Sequence, residues 1–328
     1  MSSVLLVGTG QVGIRAARQL ADTPGFRRLW VASRDADRAA ELAAIMGPVA
    51  EPNSTDAVHV PDGVAVVAIA SNRPDRAAWV RAALRAGASV VSSDDDELGE
   101  LDATARAANA TVVAGCGLAP GLSDVLARHA ADAFTTIDEV HVARVGASGP
   151  ACVEAVRDAR RQTPGEWRDG GWRADRAFGP ELVWFPEPIG ARECQLVREG
   201  VTPTITTVAT ARHATMRYGA PPAARRLAAR LRRDPLDAGW GATRVEVTGS
   251  RAGNRDTIVY GVVDRMPVVA GTVLALAALE LAGLGSQDGT VPVGVRALGE
   301  AVRPVPFLTE LAHRGVKAAA FVGVAPAA

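Results

Sequence analysis

The N-terminal third of the chain alternates short apolar runs with longer segments of helical periodicity. The runs Val4–Val7 and Val64–Ala70 contain no polar residue, which is typical of strands buried on both faces of a parallel sheet. Helical periodicity covers Ile14–Leu20 and Ala36–Met46, and further strands are predicted at Ala88–Ser92 and Thr111–Ala114. Strands that alternate with helices predict an α/β fold, a doubly wound parallel sheet of the Rossmann type.

The pattern changes after Thr135. Residues 137–145 mix apolar and polar positions as a half-buried strand does, and 243–248 with 257–263 predict a β-hairpin. We therefore predict a second, α+β domain with an antiparallel sheet and helices. Residues 167–179 are rich in Gly, Trp and Arg without periodicity, so we predict a loop there and hypothesise a lid. The apolar stretch 268–284 contains Glu280 and is short for a membrane span, which predicts a buried core helix.

A glycine-rich turn follows the first strand. The residues Gly8-Thr9-Gly10-Gln11-Val12-Gly13 match the dinucleotide fingerprint G-x-G-x-x-G. Gly8 permits the tight turn, Gly10 lets the backbone approach a pyrophosphate, and Gly13 lets the helix pack on the strand. The phosphates are then expected on the N–H groups of the helix N-terminus, at Gln11 and Val12. The alternative is that the glycines serve packing alone.

The end of the second strand sets cofactor specificity in such units. A carboxylate there binds the ribose 2′-OH of NAD, whereas an arginine accommodates the 2′-phosphate of NADP. Here the chain has Ser33-Arg34, which favours NADP over NAD. In the alternative interpretation, Ser33 caps the next helix, Arg34 is solvated, and Asp35 or Asp37 reaches the ribose.

Three further segments follow predicted strands and are expected at the ligand-binding edge of the sheet. Ser71 and Asn72 should face the cofactor. Asp94 opens a four-acid run that could bind substrate, although such a run is more often a solvated helix start. Cys116 stands in a glycine loop where the nicotinamide is expected.

The loop Gly115-Cys116-Gly117-Leu118-Ala119-Pro120-Gly121-Leu122-Ser123, taken with the fingerprint and the strand order, resembles the saccharopine dehydrogenase-like family. Residues 185–190 and 306–316 extend the resemblance over most of the chain. Many family members have Asp where this chain has Ala119. The resemblance implies a Rossmann domain over 1–123, an inserted α+β domain for substrate binding and dimerisation over 124–266, and C-terminal helices over 267–328 that return to the Rossmann domain.

The same resemblance implies reduction of an imine, formed from an amine and a carbonyl compound, to a secondary amine. Arginine forks would hold substrate carboxylates, and we nominate Arg144 and Arg157 as substrate-binding residues. A group near neutral pKa must handle one proton, and the candidates are His141, His213 and Asp124. Each has a structural alternative. His141 and His213 could be ordinary core or surface residues of their strands with their hydrogen bonds satisfied, and Asp124 could cap its helix.

Composition narrows the functional classes. The formal net charge is zero, so a nucleic-acid partner is not expected. The three cysteines are widely spaced, which indicates reduced thiols in a cytoplasmic protein and no disulfide framework or zinc pattern. The histidines never pair at helical ligand spacing, so no metal is expected, and neither a signal peptide nor a membrane anchor is indicated.

The sequence therefore predicts a homodimeric, NADPH-dependent oxidoreductase acting on the C–N bond of a small amine or amino-acid substrate. One alternative is a C=O reductase or a non-redox enzyme on the same scaffold. The other is a non-catalytic NADP-binding sensor, to which Ala119 points because the family acid is missing. Fold alone does not decide among these.

Overall fold

The structure is a computed structural model and describes residues 2–53, 58–70, 75–94, 98–174, 179–198, 207–208, 211–220, 236, 239–285 and 291–321. It divides into two compact units. The first unit comprises Met1–Leu122 with Pro267–Arg314, and the second comprises Ser123–Met266 with Gly315–Ala328.

The described strands are short in the first unit and longer in the second. In chain order they are β1 (Ser3–Val7), β2 (Arg28–Ala32), β3 (Ala50–Pro52), β4 (Val66–Ile69), β5 (Ser89–Ser92), β6 (Thr111–Ala114), β7 (Thr136–Val145), β8 (Gly165–Arg168), β9 (Gly171–Ala174), β10 (Glu181–Trp184), β11 (Ala191–Val197), β12 (His213–Gly219), β13 (Trp240–Arg251), β14 (Asn254–Arg265), β15 (Gly294–Ala297) and β16 (Ala318–Phe321).

The described α-helices are α1 (Gln11–Ala21), α2 (Ala36–Met46), α3 (Arg76–Arg85), α4 (Asp102–Ala107), α5 (Leu122–Ala131), α6 (Pro150–Arg161), α7 (Met266–Leu281), α8 (Leu298–Ala301) and α9 (Pro304–His313). Short 3₁₀ turns cover Gly47–Val49 and Leu98–Leu101. No helix within these described ranges has both the length and the apolar character that crossing a membrane requires.

The first unit contains a seven-stranded parallel sheet in the order β15-β6-β5-β4-β1-β2-β3. The doubly wound parallel sheet predicted from the sequence is therefore confirmed. Its central strands are apolar because both faces are covered: Leu5, Val67 and Val90 have no exposed surface. The parallel pairing brings the carboxyl ends of β1, β2 and β4 to one edge, where ligands bind in such sheets.

The segment after residue 266 contributes to the first unit through α7 and α9. A Cβ on Gly271 would lie 2.8 Å from the carbonyl oxygen of Val12, so glycine allows α7 to approach α1 closely. At the end of α9, the Arg314 guanidinium donates to the carbonyl oxygen of Gln19 in α1, at 3.1 Å. These contacts account for the assignment of Pro267–Arg314 to the same unit as the fingerprint.

The second unit contains a mixed sheet in the order β10-β11-β12-β7-β13-β14-β16. Only β12 and β7 run parallel in this path, and the other neighbours are antiparallel. One face is apolar: Val140, Met216, Val245 and Val247 are at most 1% exposed. The other face of β7 and β12 carries polar residues, because side chains alternate across a strand.

Three sequence expectations differ from this structure. The second sheet was expected to be antiparallel, but it is mixed because β7 and β12 run parallel. Residues 167–174, expected as part of a loop, belong to the β8–β9 hairpin, in which Trp167 pairs with Trp172. The two indole rings meet edge to face with their centroids 6.1 Å apart. This aromatic contact stabilises the hairpin although its sequence has no regular apolar alternation. At the C-terminus, β16 pairs with β14 in the second sheet, whereas the sequence assigned all of 267–328 to the Rossmann domain.

Candidate functional site

The glycine-rich turn joins β1 to α1 in the geometry that the fingerprint predicts. Gly8 has a φ of 113°, which side chains rarely tolerate, and its N–H donates to the carbonyl oxygen of Ala32 at 2.8 Å. A Cβ on Gly13 would overlap the carbonyl oxygen of Gly8. The first and third glycines are therefore required by the turn and by the approach of α1 to β1.

The middle glycine of the motif, Gly10, is not required by packing. Gly10 is exposed, has an ordinary φ of −75°, and a Cβ on it would meet no described atom within 4 Å. It is the N-cap of α1, and no side chain caps that helix end. The first N–H groups of a helix lack partners inside the helix, and the end carries partial positive charge. The space above Gly10 thus fits an anion, which includes the pyrophosphate of a dinucleotide.

Residues 33–35, at the carboxyl end of β2, form hydrogen bonds with the glycine-rich turn and with the start of α2. The Ser33 hydroxyl lies 3.0 Å from the Thr9 hydroxyl and accepts from the N–H of Asp35 at 3.3 Å. Asp35 caps α2 by accepting from the N–H of Arg38 at 3.2 Å. Arg34 is exposed. The cap of α2 is therefore Asp35, and not Ser33 as the alternative interpretation expected.

A second arginine reaches the glycine-rich turn. The Arg38 guanidinium donates from Nη2 to the carbonyl oxygen of Thr9, at 2.8 Å. Sequence reasoning did not select it, because Arg38 lies inside α2, beyond the expected specificity position. The sequence did contain one indication. Residues three apart are neighbours on a helix surface, so a residue three positions after the helix cap lies beside the cap.

The other predicted cofactor and substrate positions in the first unit are placed as follows. Ser71 and Asn72 lie outside the described residues. Cys116 has no exposed surface, and burial raises the pKa of its thiol well above the usual range, so its side chain is unsuited to catalysis. Asp94 forms an ion pair with Arg76 at 2.7 Å, with side-chain exposures of 22% and 11%. The carboxylate nominated for substrate is thus engaged in an internal pair.

Asp124 lies in the first turn of α5 and is 1% exposed. A carboxylate in this position is favoured by the helix dipole. The hydroxyl of the preceding residue, Ser123, is buried and has no hydrogen-bond partner among the described residues. Asp124 is therefore the third residue inside α5, and not the residue before the helix that the cap alternative describes.

The two strand histidines come together on the polar face of the second sheet. Glu139 and His141 on β7 lie opposite His213 and Thr215 on β12. The imidazole rings of His141 and His213 meet edge to face, with centroids 5.0 Å apart. His141 contacts Thr215 Oγ1 through Nδ1 at 2.8 Å and Glu139 Oε2 through Nε2 at 3.0 Å. Two residues far apart in sequence thus form one cluster.

The β8–β9 hairpin adds two residues that sequence reasoning missed. Glu166 is 8% exposed, and its Oε2 lies 2.9 Å from Nε2 of His213. Arg168 donates from Nε to the other carboxylate oxygen of Glu166 at 2.8 Å. The cluster therefore consists of Glu139, His141, Glu166, Arg168 and His213, and we call it the histidine cluster.

The charge states in the histidine cluster follow from burial and pairing. Burial lowers the pKa of His141, and the neighbouring His213 and Arg217 lower it further, against the hydrogen bond to Glu139. The hydrogen bond from His141 holds the pKa of Glu139 below its usual range. Burial opposes ionisation of Glu166, but hydrogen bonds from Arg168 and His213 outweigh it and lower the pKa. Near neutral pH, His141 is therefore neutral and lies beside ionised carboxylates.

The histidine cluster also has donor atoms of the kind that bind divalent metals. Ligand atoms of Glu139, His141 and His213 lie within 4.8 Å of one another. Glu139 also accepts from Arg255 at 3.0 Å. In the structure these carboxylates and imidazoles form a hydrogen-bonded network of ion pairs with Arg168 and Arg255. The spacing of the histidines along the sequence does not indicate this cluster, because strand pairing brings them together.

The two nominated arginines do not join this cluster. Arg144 follows Ala143 on β7 and therefore projects from the opposite face to His141. Its guanidinium stacks over the Tyr218 ring at 4.1 Å from the centroid. Arg157 is exposed on α6. Arg217 on β12 does lie on the polar face, and its guanidinium donates to the Thr215 hydroxyl.

No protein-family model matches the chain, and no curated protein matches its sequence. Solved structures do match. The L-Glu-forming saccharopine dehydrogenase from Saccharomyces cerevisiae is 17% identical and has a TM-score of 0.73, covering 98% of this chain and 100% of that one. The chain has the saccharopine dehydrogenase fold.

Two further solved structures are similar to the chain at lower TM-scores. The C. glutamicum DAP dehydrogenase in complex with DAP is 15% identical, with a TM-score of 0.50 over 96% of this chain and 100% of that chain. A probable dehydrogenase from Thermotoga maritima is 11% identical, with a TM-score of 0.51 over 97% of this chain and 98% of that chain. The fold implied by the sequence resemblance is thereby confirmed.

Proposed function

We propose that this protein is an NADPH-dependent oxidoreductase that acts on the C–N bond of an amino-acid-like substrate. The observation that carries the proposal is the glycine-rich turn, where Gly10 leaves open space at the uncapped N-terminus of α1. The fold supports the reaction class, because two proteins with similar structures are named as an L-Glu-forming saccharopine dehydrogenase and a DAP dehydrogenase.

The preference for NADP rests on the end of β2. Arg34 is exposed there, and Arg38 is held at the turn by the carbonyl oxygen of Thr9. Asp35, the acidic residue nearest to this position, caps α2. Two guanidinium groups suit a 2′-phosphate, which carries negative charge and accepts paired hydrogen bonds.

The nicotinamide cofactor supplies the hydride, and the protein must orient the substrate and manage one proton. In our proposal, His141 carries that proton. Because its pKa is lowered, the imidazolium that forms on protonation is a stronger acid than that of an ordinary histidine, and in giving its proton to the substrate nitrogen it returns to the neutral ring. Glu139 and Thr215 fix the ring through its two nitrogens. His213 and Glu166 form a second imidazole–carboxylate pair beside it.

We also propose a cytoplasmic homodimer. The support for the compartment is that all three cysteines are free thiols, two of them buried. The support for the dimer is the family resemblance of the sequence. Size-exclusion chromatography with light scattering tests the dimer directly.

The reaction is tested by following loss of NADPH absorbance with a panel of amines and oxo acids, each supplied alone and in pairs. Oxidation that requires both an amine and a carbonyl partner supports a reductive C–N enzyme. Oxidation with a carbonyl compound alone supports the C=O reductase. Tight NADPH binding without turnover on any pair supports the sensor or a non-redox use of the nucleotide.

A further inference from the structure

The histidine cluster places three potential metal ligands on one face of the second sheet. Glu139 and His141 alternate with Val140 on β7, so both side chains project to the same face, and the register pairs Glu139 with His213 on β12. One carboxylate oxygen of Glu139 and one ring nitrogen of each histidine lie within 4.8 Å of one another. Zinc binds such atoms at about 2.0–2.2 Å, so side-chain movements of about 1 Å would bring all three donors onto one ion.

The donor set is that of a transition-metal site with an open position. Two imidazoles and one carboxylate form one of the ligand sets that hold zinc in catalytic sites, where water completes the coordination. Calcium and magnesium prefer oxygen ligands, whereas imidazole nitrogen suits zinc and its neighbours in the first transition series. The cluster therefore suits zinc better than a hard cation.

The His141 ring is already held at both nitrogens. Nε2 lies 3.0 Å from Glu139 Oε2, and Nδ1 lies 2.8 Å from the Thr215 hydroxyl oxygen. Because an ionised carboxylate only accepts hydrogen bonds, the proton of the neutral ring is on Nε2 here, and a metal would replace it. The ring would then carry its proton on Nδ1, where the Thr215 oxygen accepts it. Metal-bound histidines are commonly oriented by such a bond at the second nitrogen.

The other two ligands are also oriented by neighbours. Arg255 donates to Glu139 Oε1 at 3.0 Å, which leaves Oε2 directed at His141. Glu166 Oε2 lies 2.9 Å from His213 Nε2, and Glu166 is 8% exposed, so the His213 ring is fixed by a buried carboxylate. Outer partners that orient the ligands in this way raise the affinity of metal sites.

An ion can reach the cluster from solvent. The side chains of His141 and Glu139 are 24% and 35% exposed, while that of His213 is 15% exposed. The ligands thus lie at the rim of the sheet face and not in its apolar core. Entry of a metal ion requires no unfolding of β7 or β12.

The surrounding charges do not exclude a cation. Three guanidinium groups near the cluster are each paired with a carboxylate: Arg168 with Glu166, Arg217 with Glu181, and Arg255 with Glu139. These six charges cancel, so the metal enters a region without excess positive charge. The side chains of Arg168 and Arg255 are 41% and 66% exposed, and water screens the repulsion from both.

We propose that the histidine cluster is a zinc site, with His141, His213 and Glu139 as its protein ligands and water at the remaining position. The site lies within the second unit and requires neither cofactor nor substrate. Zinc takes the nitrogen of His141 that otherwise carries a proton, so the metal and the proton compete for one lone pair. One consequence rests on the proposed function: if His141 is the proton donor, zinc bound here inhibits the reaction.

The test is calorimetric titration of the metal-free, full-length protein with Zn²⁺ near neutral pH, without cofactor or substrate. We expect one zinc ion to bind per chain. Titration with Co²⁺ gives a second readout, because cobalt held by imidazole and carboxylate absorbs visible light differently from the hydrated ion. Zn²⁺ added to the cobalt-loaded protein should remove those absorption bands.

His213→Gln and Glu139→Gln should each weaken zinc binding about tenfold or more, because each removes one of three ligands. Glu139 is the more exposed of the two, so Glu139→Gln serves if His213→Gln fails to fold. His313→Gln is the matched control. His313 also lies beside a carboxylate, at 3.6 Å from Glu310, but it is 72% exposed and belongs to no group of three donors among the described residues. Its removal should leave the zinc affinity unchanged.

Two results would overturn the zinc site. The first is that the wild-type protein binds no zinc. The second is that His213→Gln and Glu139→Gln both fold and bind zinc as the wild type does. Failure of the proposed function is distinguishable, because zinc then binds as expected while no amine and carbonyl pair oxidises NADPH. An active reductase that zinc does not inhibit would overturn the competition for His141.

Discussion

A Cβ atom on Gly13 would overlap the carbonyl oxygen of Gly8, whereas a Cβ on Gly10 would meet no described atom within 4 Å. The two glycines of one motif are therefore present for different reasons. Gly13 is required by the packing of α1 on β1, whereas no contact among the described residues requires a glycine at position 10.

Gly13→Ala should destabilise the protein, because the backbone of α1 or of the turn must move to admit the methyl group. Overpacking of this kind costs about 1–3 kcal/mol, and contact with backbone places the effect at the upper end. Thermal unfolding followed by calorimetry measures it. Gly10→Ala is the matched control and should unfold as the wild type does, since its φ of −75° suits any residue.

Gly10→Val should weaken NADPH binding about tenfold or more while leaving the fold intact, because the side chain fills the space above the helix N-terminus. Fluorescence titration with NADPH measures the affinity. Gly99→Val makes the same change at another glycine whose Cβ meets nothing within 4 Å, and it should bind normally. Normal NADPH binding by folded Gly10→Val would mean that the fingerprint does not hold the pyrophosphate.

Arg38→Gln should reduce affinity for NADPH about tenfold and leave affinity for NADH unchanged, because only NADPH carries the 2′-phosphate. Arg34→Asp should act in the same direction. Titration of each variant with both cofactors gives the ratio of affinities. Arg27→Gln, at an exposed position before β2, should keep the wild-type ratio. An unchanged ratio in both Arg38→Gln and Arg34→Asp would remove the argument for NADP.

The His141 imidazole should titrate below the ordinary histidine pKa of about 6.5, because it is buried beside Arg217 and His213. NMR of the ring protons measures this, with His141→Gln identifying the signal. The folded protein then binds fewer protons than the unfolded chain between the lowered pKa and about pH 6.5. Stability should therefore fall as the pH drops through that window.

His141→Gln should flatten this part of the pH dependence, whereas His59→Gln, at an exposed position in the first unit, should not. The paired Glu139 and Glu166 act in the same direction at lower pH, since their lowered pKa values give stability that is lost on protonation. A His141 signal that titrates above about 6.5 would contradict the lowered pKa on which its proposed role as proton donor rests.

Local rules predicted most of the first unit from the sequence. Helix α2 begins and ends where the pattern placed it, at Ala36 and Met46, because Asp35 caps it and Gly47 follows it. Strand β6 likewise spans Thr111–Ala114 as expected. Buried parallel strands leave a continuous apolar run, which is a strong local signal.

The second unit was harder to predict because its site is assembled by pairing between distant strands. The parallel register of β7 with β12 brings His141 and His213 together, and nothing local to either residue indicates this. Residues 167–174 of the β8–β9 hairpin were expected as a loop because Gly and Arg obscure their alternation, and Glu166, immediately before that segment, was assigned to no element.

The sequence could not indicate which arginines bind substrate, because arginines are too frequent in this chain. The chain has 36 basic residues, of which only Lys317 is a lysine, so any strand or helix offers an arginine. Arg144 and Arg217 occupy neighbouring strands, yet one stacks on Tyr218 and the other lines a cavity on the opposite face. Which face an arginine occupies depends on strand register, and a change of one residue reverses it.

The most direct test of the proposed function uses NADPH deuterated at the transferable position of the nicotinamide, supplied with an amine and oxo-acid pair that supports turnover. Mass spectrometry of the product locates the label. We predict one deuterium on the carbon that bears the new C–N bond, since hydride reaches the imine carbon and a proton reaches its nitrogen. Deuterium on a carbinol carbon with the amine unconsumed, or no NADPH consumption with any pair, would contradict the proposed function.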